Sequence, residues 1–271
     1  MAGARAAFRF AAVQMVSAPE VAPNLEAAAR LVGEAARGGA QLVALPEYFC
    51  ILGRHGSDKV KVREADGAGP LQDFLARAAR EHGVWIVGGT VPVACADAQR
   101  VRSACMVYDD AGRRVARYDK VHLFAFDQGA ESYDEARTIE PGSEPLAIDS
   151  PFGRLGLSIC YDLRFPELYR SQGEVTAWFV PSAFTATTGA AHWETLLRAR
   201  AIENLCYVVA PAQGGLHANG RRTHGDTMIV DPWGDVLARR TEGEGVVFAD
   251  IDTARIAEVR KSLPALRHRR L

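Results

Sequence analysis

Between residues 8 and 89, three short apolar runs alternate with two segments whose apolar residues recur at helical spacing, and few architectures accept that order. The runs are residues 8–15, 41–45 and the VWIVGG stretch. Each is short and bounded by glycine, proline or charge, as a buried strand would be. Asn24 is placed to N-cap a helix that runs to Arg37 and stops at Gly38 and Gly39. Pro70 opens a second helix with Leu71, Phe74, Leu75 and Ala78 on one face, and Gly83 closes it. Strand, helix, strand, helix, strand requires parallel pairing with helices laid over the sheet.

Antiparallel strands follow. Residues 102–108 and 113–118 flank DDAG, and residues 227–230 and 236–238 flank DPWG, both hairpin signals. Between Phe124 and Pro145 lies a polar segment without periodicity, and a loop of that length inside a domain is expected to border a binding site. Further strands are read at 154–159, 176–180 and 245–251, with helices from Pro166, across AHWETLLRARAIEN and over 253–263. Within the long helix, Arg198, Arg200 and Glu203 read as a solvated or interface ion network. One strand ends in ALPEYF near Glu47 and another in FVPSAF near Ser182. That echo points to two similar sheets packed face to face under outer helices, a four-layer α-β-β-α sandwich of the α/β class. No linker interrupts residues 1–271, so a single domain is expected.

The 32 Lys and Arg nearly balance the 33 Asp and Glu, so no net field favours nucleic acid or an anionic membrane, and neither partner is expected. Hydrophobic residues at 48% with no run long enough to span a bilayer fit a soluble globular chain. Five cysteines, an odd number without CxxC or Cys/His ligand spacing, argue against a disulfide framework and a zinc site. A reducing, cytoplasmic setting is expected, with an organellar presequence in the Ala- and Arg-containing N-terminus as the alternative.

The stretch GLSICYDLRFPELYR delivers Cys160 from the end of an apolar run into a polar turn at the start of a helix. A lone cysteine there is by default a small buried hydrophobe. As a nucleophile it needs a base, a cation or donor for an oxyanion, and an acid for the leaving group. His122, His192 and His224 are available but stand in no local cysteine-protease signature. Glu47 and Lys120, each at a strand end beside apolar residues, suit the roles better. A carboxylate in such a pocket can have a raised pKa, and a fixed ammonium favours a thiolate.

Those residues stand in ALPEYF, YDKVHLF and GLSICYDLRFPE, and with PSAFTATTGAAHWETLLRARAIENLCYVV and TMIVDPWG they make the chain resemble the nitrilase superfamily of carbon–nitrogen hydrolases over nearly its whole length. The resemblance is strongest to the branch containing deaminated glutathione amidase, with the omega-amidase branch next. It implies Cys160 as nucleophile, Glu47 as general base and acid, and Lys120 as oxyanion cation. A second glutamate falls at Glu135, counted back from Pro141, with Glu131 the competing choice. It also implies the four-layer sandwich, a homodimer or higher homo-oligomer, and no metal or organic cofactor.

The reaction implied is hydrolysis of a small acidic amide through a cysteine thioester, above all deaminated glutathione to 2-oxoglutarate and cysteinylglycine. An omega-amidase acting on alpha-ketoglutaramate is the alternative, and a nitrilase proper fits the motifs less well. An idle interaction module is the alternative of another class, which retention of Glu47, Lys120, Glu135 and Cys160 speaks against. For substrate contacts, the backbone N–H of Tyr161 is placed at the oxyanion. Arg164 serves either as a carboxylate clamp or as a structural partner of Asp162 or Glu167, while Ser182, Phe184 and Thr185 are expected along the pocket. Tyr48 reads as wall, and Cys50, Cys95, Cys105 and Cys206 as ordinary thiols. Ser103, where relatives often have Asn, and HGDT before DPWG depart from the family pattern.

Overall fold

The computed structural model describes residues 7–128 and 131–270. In chain order the first half contains β1 (Ala7–Gln14), α1 (Val21–Arg37), β2 (Leu42–Leu45), α2 (Asp58–Lys61), α3 (Pro70–His82), β3 (Trp85–Gly88), β4 (Val91–Ala94), β5 (Val101–Tyr108) and β6 (Arg114–Asp119). A small hairpin, β7 (Ala125–Gln128) and β8 (Glu131–Asp134), leads to β9 (Leu146–Ser150), β10 (Gly153–Leu157), α4 (Pro166–Ser171), β11 (Ala177–Phe179), α5 (Ala186–Asn204) and β12 (Tyr207–Ala210). The chain ends with β13 (Gly214–Leu216), β14 (Arg222–His224), β15 (Thr227–Val230), β16 (Val236–Arg240), β17 (Gly245–Asp252) and α6 (Thr253–Ser262).

Two sheets carry the fold. In the first, β1, β2 and β3 run parallel as the opening pattern requires, β17 returns antiparallel beside β1, and β5 pairs with β3, β4 and β6. The second has the order β16-β15-β12-β11-β10-β9, with β10, β11 and β12 parallel.

Alternation along the strands makes the layers. Phe10 and Ala12 of β1 belong to one buried cluster, Ala11 and Val13 to another. Leu42 and Ala44 of β2 divide from Val43 and Leu45 in the same way, which is the period-two rule of a sheet covered on both faces. The second cluster includes Leu31 and Val32 of α1 and Phe74 and Leu75 of α3, so these helices cover the outer face of the first sheet. On its inner face Phe10 meets Phe179 of the second sheet at 6.0 Å between ring centroids. Trp178, next to Phe179, points the other way and packs on Tyr169 of α4 at 4.6 Å. The order is therefore helix, sheet, sheet, helix, as expected.

Several elements differ from the sequence reading. The first helix begins at Val21, not at Asn24, whose buried side chain turns back to accept from the N–H of Ala18 and donate to the carbonyls of Ala18, Glu20 and Cys50. It staples the helix start to the β2 loop. Strand β4 carries Pro92, and it is tolerated because β4 lies at the sheet edge. Among its described residues, the polar segment after Phe124 contains β7, β8 and one 3-10 turn, Glu135–Arg137. Arg200 is buried and not solvated: it pairs with Glu203 and donates to the carbonyl of Leu163 at 2.7 Å. Residues 1–6, on which the alternative of an organellar presequence bears, lie outside the described residues.

Gly83 ends α3 in the left-handed conformation, as expected. Gly89 holds a more consequential one. With φ of 55°, it lies where a Cβ would stand 2.1 Å from the carbonyl oxygen of Pro46, immediately before Glu47. Gly89→Ala is expected to lower stability by about 1–3 kcal/mol in urea unfolding and to reduce turnover by displacing Glu47. Unchanged stability and turnover would show that this close approach is not required.

Candidate active site

Four of the residues singled out in the sequence converge where the strands of both sheets run out. Glu47 follows β2 after Pro46, Lys120 follows β6, Glu135 begins the 3-10 turn after β8, and Cys160 lies three residues beyond β10. The Lys120 ammonium is 2.8 Å from Glu47 Oε1, 3.0 Å from Glu135 Oε1 and 2.8 Å from Glu135 Oε2. Glu135 is held further by Tyr48 Oη, which donates to Oε1 at 2.8 Å, and by the N–H of Phe124 at 2.8 Å. Cys160 borders one pocket with Glu47 and Glu135. Glu131, the competing glutamate, starts β8 and forms no bond with Lys120 among the described residues.

This environment splits the two carboxylates. Burial pushes Glu47 above its usual 4.5, and the charge of Glu135 adds to that against the pull of Lys120. Burial acts on Glu135 too, but Lys120 and the Phe124 N–H outweigh it and hold the carboxyl below 4.5. Burial opposes the charge of Lys120, yet Glu135 and Glu47 keep the ammonium well above its usual 10.5. The Cys160 thiol rises, through burial and then the charge of Glu47, in spite of Lys120. The ammonium therefore does not lower the thiol, contrary to the expectation from charge alone. Burial also lifts Cys50, Cys105 and Cys206 to about 12.

Two backbone positions at the site are strained. Cys160 has φ of 48° and Tyr48 φ of 57°, a region that costs an L-residue on the order of 1–2 kcal/mol. Their surroundings hold them there. The N–H of Tyr48 donates to Thr90 Oγ1 at 2.8 Å, and that of Cys160 to the Pro181 carbonyl at 2.9 Å. Gln213, wholly buried, donates to Ser17 Oγ and to the Glu47 carbonyl, at 2.7 and 3.1 Å, tying the end of the second sheet to the first.

Asp162 is the residue that reading by motif did not find. It is wholly buried and accepts four contacts: the N–H of Ile159 and Tyr118 Oη on Oδ2, at 2.8 and 2.7 Å, and the N–H and Nδ1 of His122 on Oδ1, at 2.9 and 2.8 Å. Tyr118 and His122 flank Lys120, and Ile159 precedes Cys160. One carboxylate thus fixes the Cys160 turn relative to the ammonium. An aspartate two residues after a cysteine, with Tyr and His two either side of a lysine, is the sequence signal for it.

The remaining candidates divide. Tyr161, Arg164, Phe184 and Thr185 border a pocket with Glu47 and Cys160. Ser182 does not border it, because it is wholly buried and returns its hydroxyl to the Val180 carbonyl. Arg164 pairs with neither Asp162 nor Glu167. Its Nη2 lies 3.2 Å from His192 Nδ1, and its guanidinium is 5.7 Å from the ring centroids of Tyr161 and Phe184. None of His122, His192 and His224 borders the pocket. Tyr48 forms wall, as expected, and also bonds Glu135. In the two family departures, Ser103 is buried and its carbonyl accepts from the Lys120 N–H, while Asp226 of HGDT is paired with Arg239.

Residues 9–261 match the carbon-nitrogen hydrolase family. A deaminated glutathione amidase of Synechocystis sp. is 44% identical over 266 residues, covering 96% of this chain and 97% of that protein. An omega-amidase of Xenopus laevis is 36% identical over 98% of this chain and 96% of its own length. The crystal structure of Saccharomyces cerevisiae Nit3, described as a member of branch 10 of the nitrilase superfamily, superposes with a TM-score of 0.88 at 30% identity, covering 98% of this chain and 97% of that one.

Asp162→Asn keeps the shape but loses the charge and turns an N–H₂ toward donors. Stability is expected to fall by about 2–4 kcal/mol, with kcat reduced more than KM. A variant as stable and active as the parent would show that Asp162 does not align the two turns.

Proposed function

The chain belongs to the carbon–nitrogen hydrolase family, and we propose that it is an amidase that cleaves a small acidic amide through a Cys160 thioester, with deaminated glutathione as substrate and 2-oxoglutarate and cysteinylglycine as products. The observation that carries this reading is the Lys120 ammonium held between the Glu47 and Glu135 carboxylates beside the Cys160 thiol. The deaminated glutathione amidase similar over nearly the full length of both chains supports the substrate. Activity on alpha-ketoglutaramate is the second reading, favoured by the omega-amidase similarity.

In the proposed reaction, Glu47 takes the thiol proton as Cys160 Sγ attacks the amide carbonyl. Its raised pKa matches it to both halves of the cycle, since a base that must return a proton works best with a pKa not far below the working pH. The carbonyl oxygen becomes an oxyanion facing Lys120 and the backbone N–H of Tyr161. Collapse breaks the C–N bond as Glu47 protonates the departing amine, leaving the acyl group on sulfur. Glu47 then takes a proton from water, which attacks the thioester, and the acid and the thiol are released. Glu135 stays ionised throughout as the fixed counter-charge of Lys120. The roles of Arg164, Phe184 and Thr185 are substrate contacts, with Arg164 on the carboxylate of the acyl part.

A single catalytic domain, a homodimer and a cytoplasmic setting complete the proposal. Support for the domain is the return of β17 beside β1 and the family match over residues 9–261. For the dimer it is the exposure of Ile202, Trp233 and Leu237, which apolar side chains favour covering. For the setting it is that all five cysteines are free.

Cys160→Ala is expected to lower kcat by roughly 10³-fold or more. Glu47→Gln is expected to lower kcat by a comparable factor and to accumulate no acyl adduct on Cys160 in intact-mass spectra, because both thiol deprotonation and amine protonation need the carboxylate. Intact turnover in Cys160→Ala would remove the nucleophile from the scheme.

A further inference from the structure

The pocket at Cys160 does not end at Arg164. It shares Tyr48, Phe124, Glu135 and Arg221 with an outer cleft of about 430 Å³. The acids along that cleft are occupied: Glu135 by Lys120, Tyr48 and the Phe124 N–H, and Asp134 by Arg137 and the N–H of Ala136. Among its cations, Arg54 pairs with Glu20 and Arg137 with Asp134. Lys59 and Arg221 have no ion-pair partner among the described residues.

Each of these two rests on neutral groups instead. Lys59 Nζ is 3.2 Å from Thr138 Oγ1 and 5.4 Å from the Tyr48 ring centroid. Arg221 Nη2 donates to the Ala183 carbonyl at 3.3 Å, its guanidinium lies 4.9 Å from the Tyr133 ring centroid, and its Nε is buried without a partner. A half-buried cation without an anion is less favourable than a paired one. Burial already presses the Lys59 ammonium below its usual pKa. An anion arriving with a ligand would satisfy both groups.

We infer that Arg221 and Lys59 form a second carboxylate site, across the scissile bond from Arg164, so that the preferred substrate is an amide with a carboxylate on both its acyl and its amine side. The planar fork of Arg221 suits a carboxylate, and Lys59 adds a point charge beside it. The inference rests on the amidase reading and deepens it. Deaminated glutathione carries a carboxylate at each end, whereas alpha-ketoglutaramate has one, on the acyl side. The outer cleft then discriminates between the two, by reading the leaving amine.

Steady-state kinetics on deaminated glutathione, its C-terminal amide and alpha-ketoglutaramate test this with the full chain. Arg221→Met should raise KM for deaminated glutathione about tenfold or more, with kcat within about twofold, and leave KM for alpha-ketoglutaramate within about twofold. The C-terminal amide should show the same KM increase in the parent enzyme and no further increase in Arg221→Met, and Arg221→Lys should recover part of the loss. Equal KM changes on both acids, or none, would overturn the inference, as would an amide bound as well as the free acid. A parent enzyme active on alpha-ketoglutaramate but not on deaminated glutathione would overturn it while leaving an amidase. A parent enzyme idle on both would overturn the amidase reading and this inference with it.

Discussion

The ammonium of Lys120 is wholly buried, and the site exists because two carboxylates meet it there. An isolated ammonium in that position would lose its proton. With Glu47 on one side and Glu135 on the other it stays charged, and the cluster carries one net negative charge when both acids are ionised. That residual charge is what suits Glu47 to the proposed role of proton carrier. Glu135 has the ammonium at both of its oxygens and a backbone N–H besides, so it keeps its charge; Glu47 has less compensation and a higher pKa. Removing either carboxylate alone would strand part of this cluster, a loss of about 3–5 kcal/mol in comparable buried pairs.

The fold supplies the cluster from four separate places, and several buried polar residues serve to align them. Glu47 comes from the first sheet and Cys160 from the second. Gln213 joins the two by bonding Ser17 and the Glu47 carbonyl, and Asp162 joins the Cys160 turn to both flanks of Lys120. Arg200 holds the same turn from α5 through the Leu163 carbonyl. Strain at Tyr48 and Cys160 persists because neighbouring hydrogen bonds determine these positions from outside.

The parallel sheet was legible from the first ninety residues, because short apolar runs alternating with helical periods leave only a parallel sheet with covering helices, and the four-layer order from the echo between ALPEYF and FVPSAF. The two hairpins were legible from DDAG and DPWG. Asn24 misled because a residue type favoured at an N-cap also serves as a buried staple, and nothing local distinguishes the two uses. The strands β4 and β9 carry a proline or polar residues that mask alternation. At the site, Glu47, Lys120 and Cys160 stood out through their motifs. Asp162, Gln213 and Arg221 did not, since each acts through partners brought near by folding; Gln213 and Ser17 lie 196 residues apart. Arg200 reads in the sequence as part of a solvated or interface ion network because charge in a helix usually means exposure, and its burial is accompanied by the Leu163 carbonyl and the Glu203 carboxylate.

The central claim is that one buried ammonium sets two neighbouring carboxylates to different proton affinities. A ¹³C NMR titration of the glutamate side-chain carboxyls in the free enzyme reads this directly, with Glu47→Gln and Glu135→Gln providing the assignments. The account predicts that the Glu47 resonance titrates above 4.5 and the Glu135 resonance below it, the pair behaving as two separated macroscopic steps. Titration of both near the same pH, or Glu135 above Glu47, would contradict it.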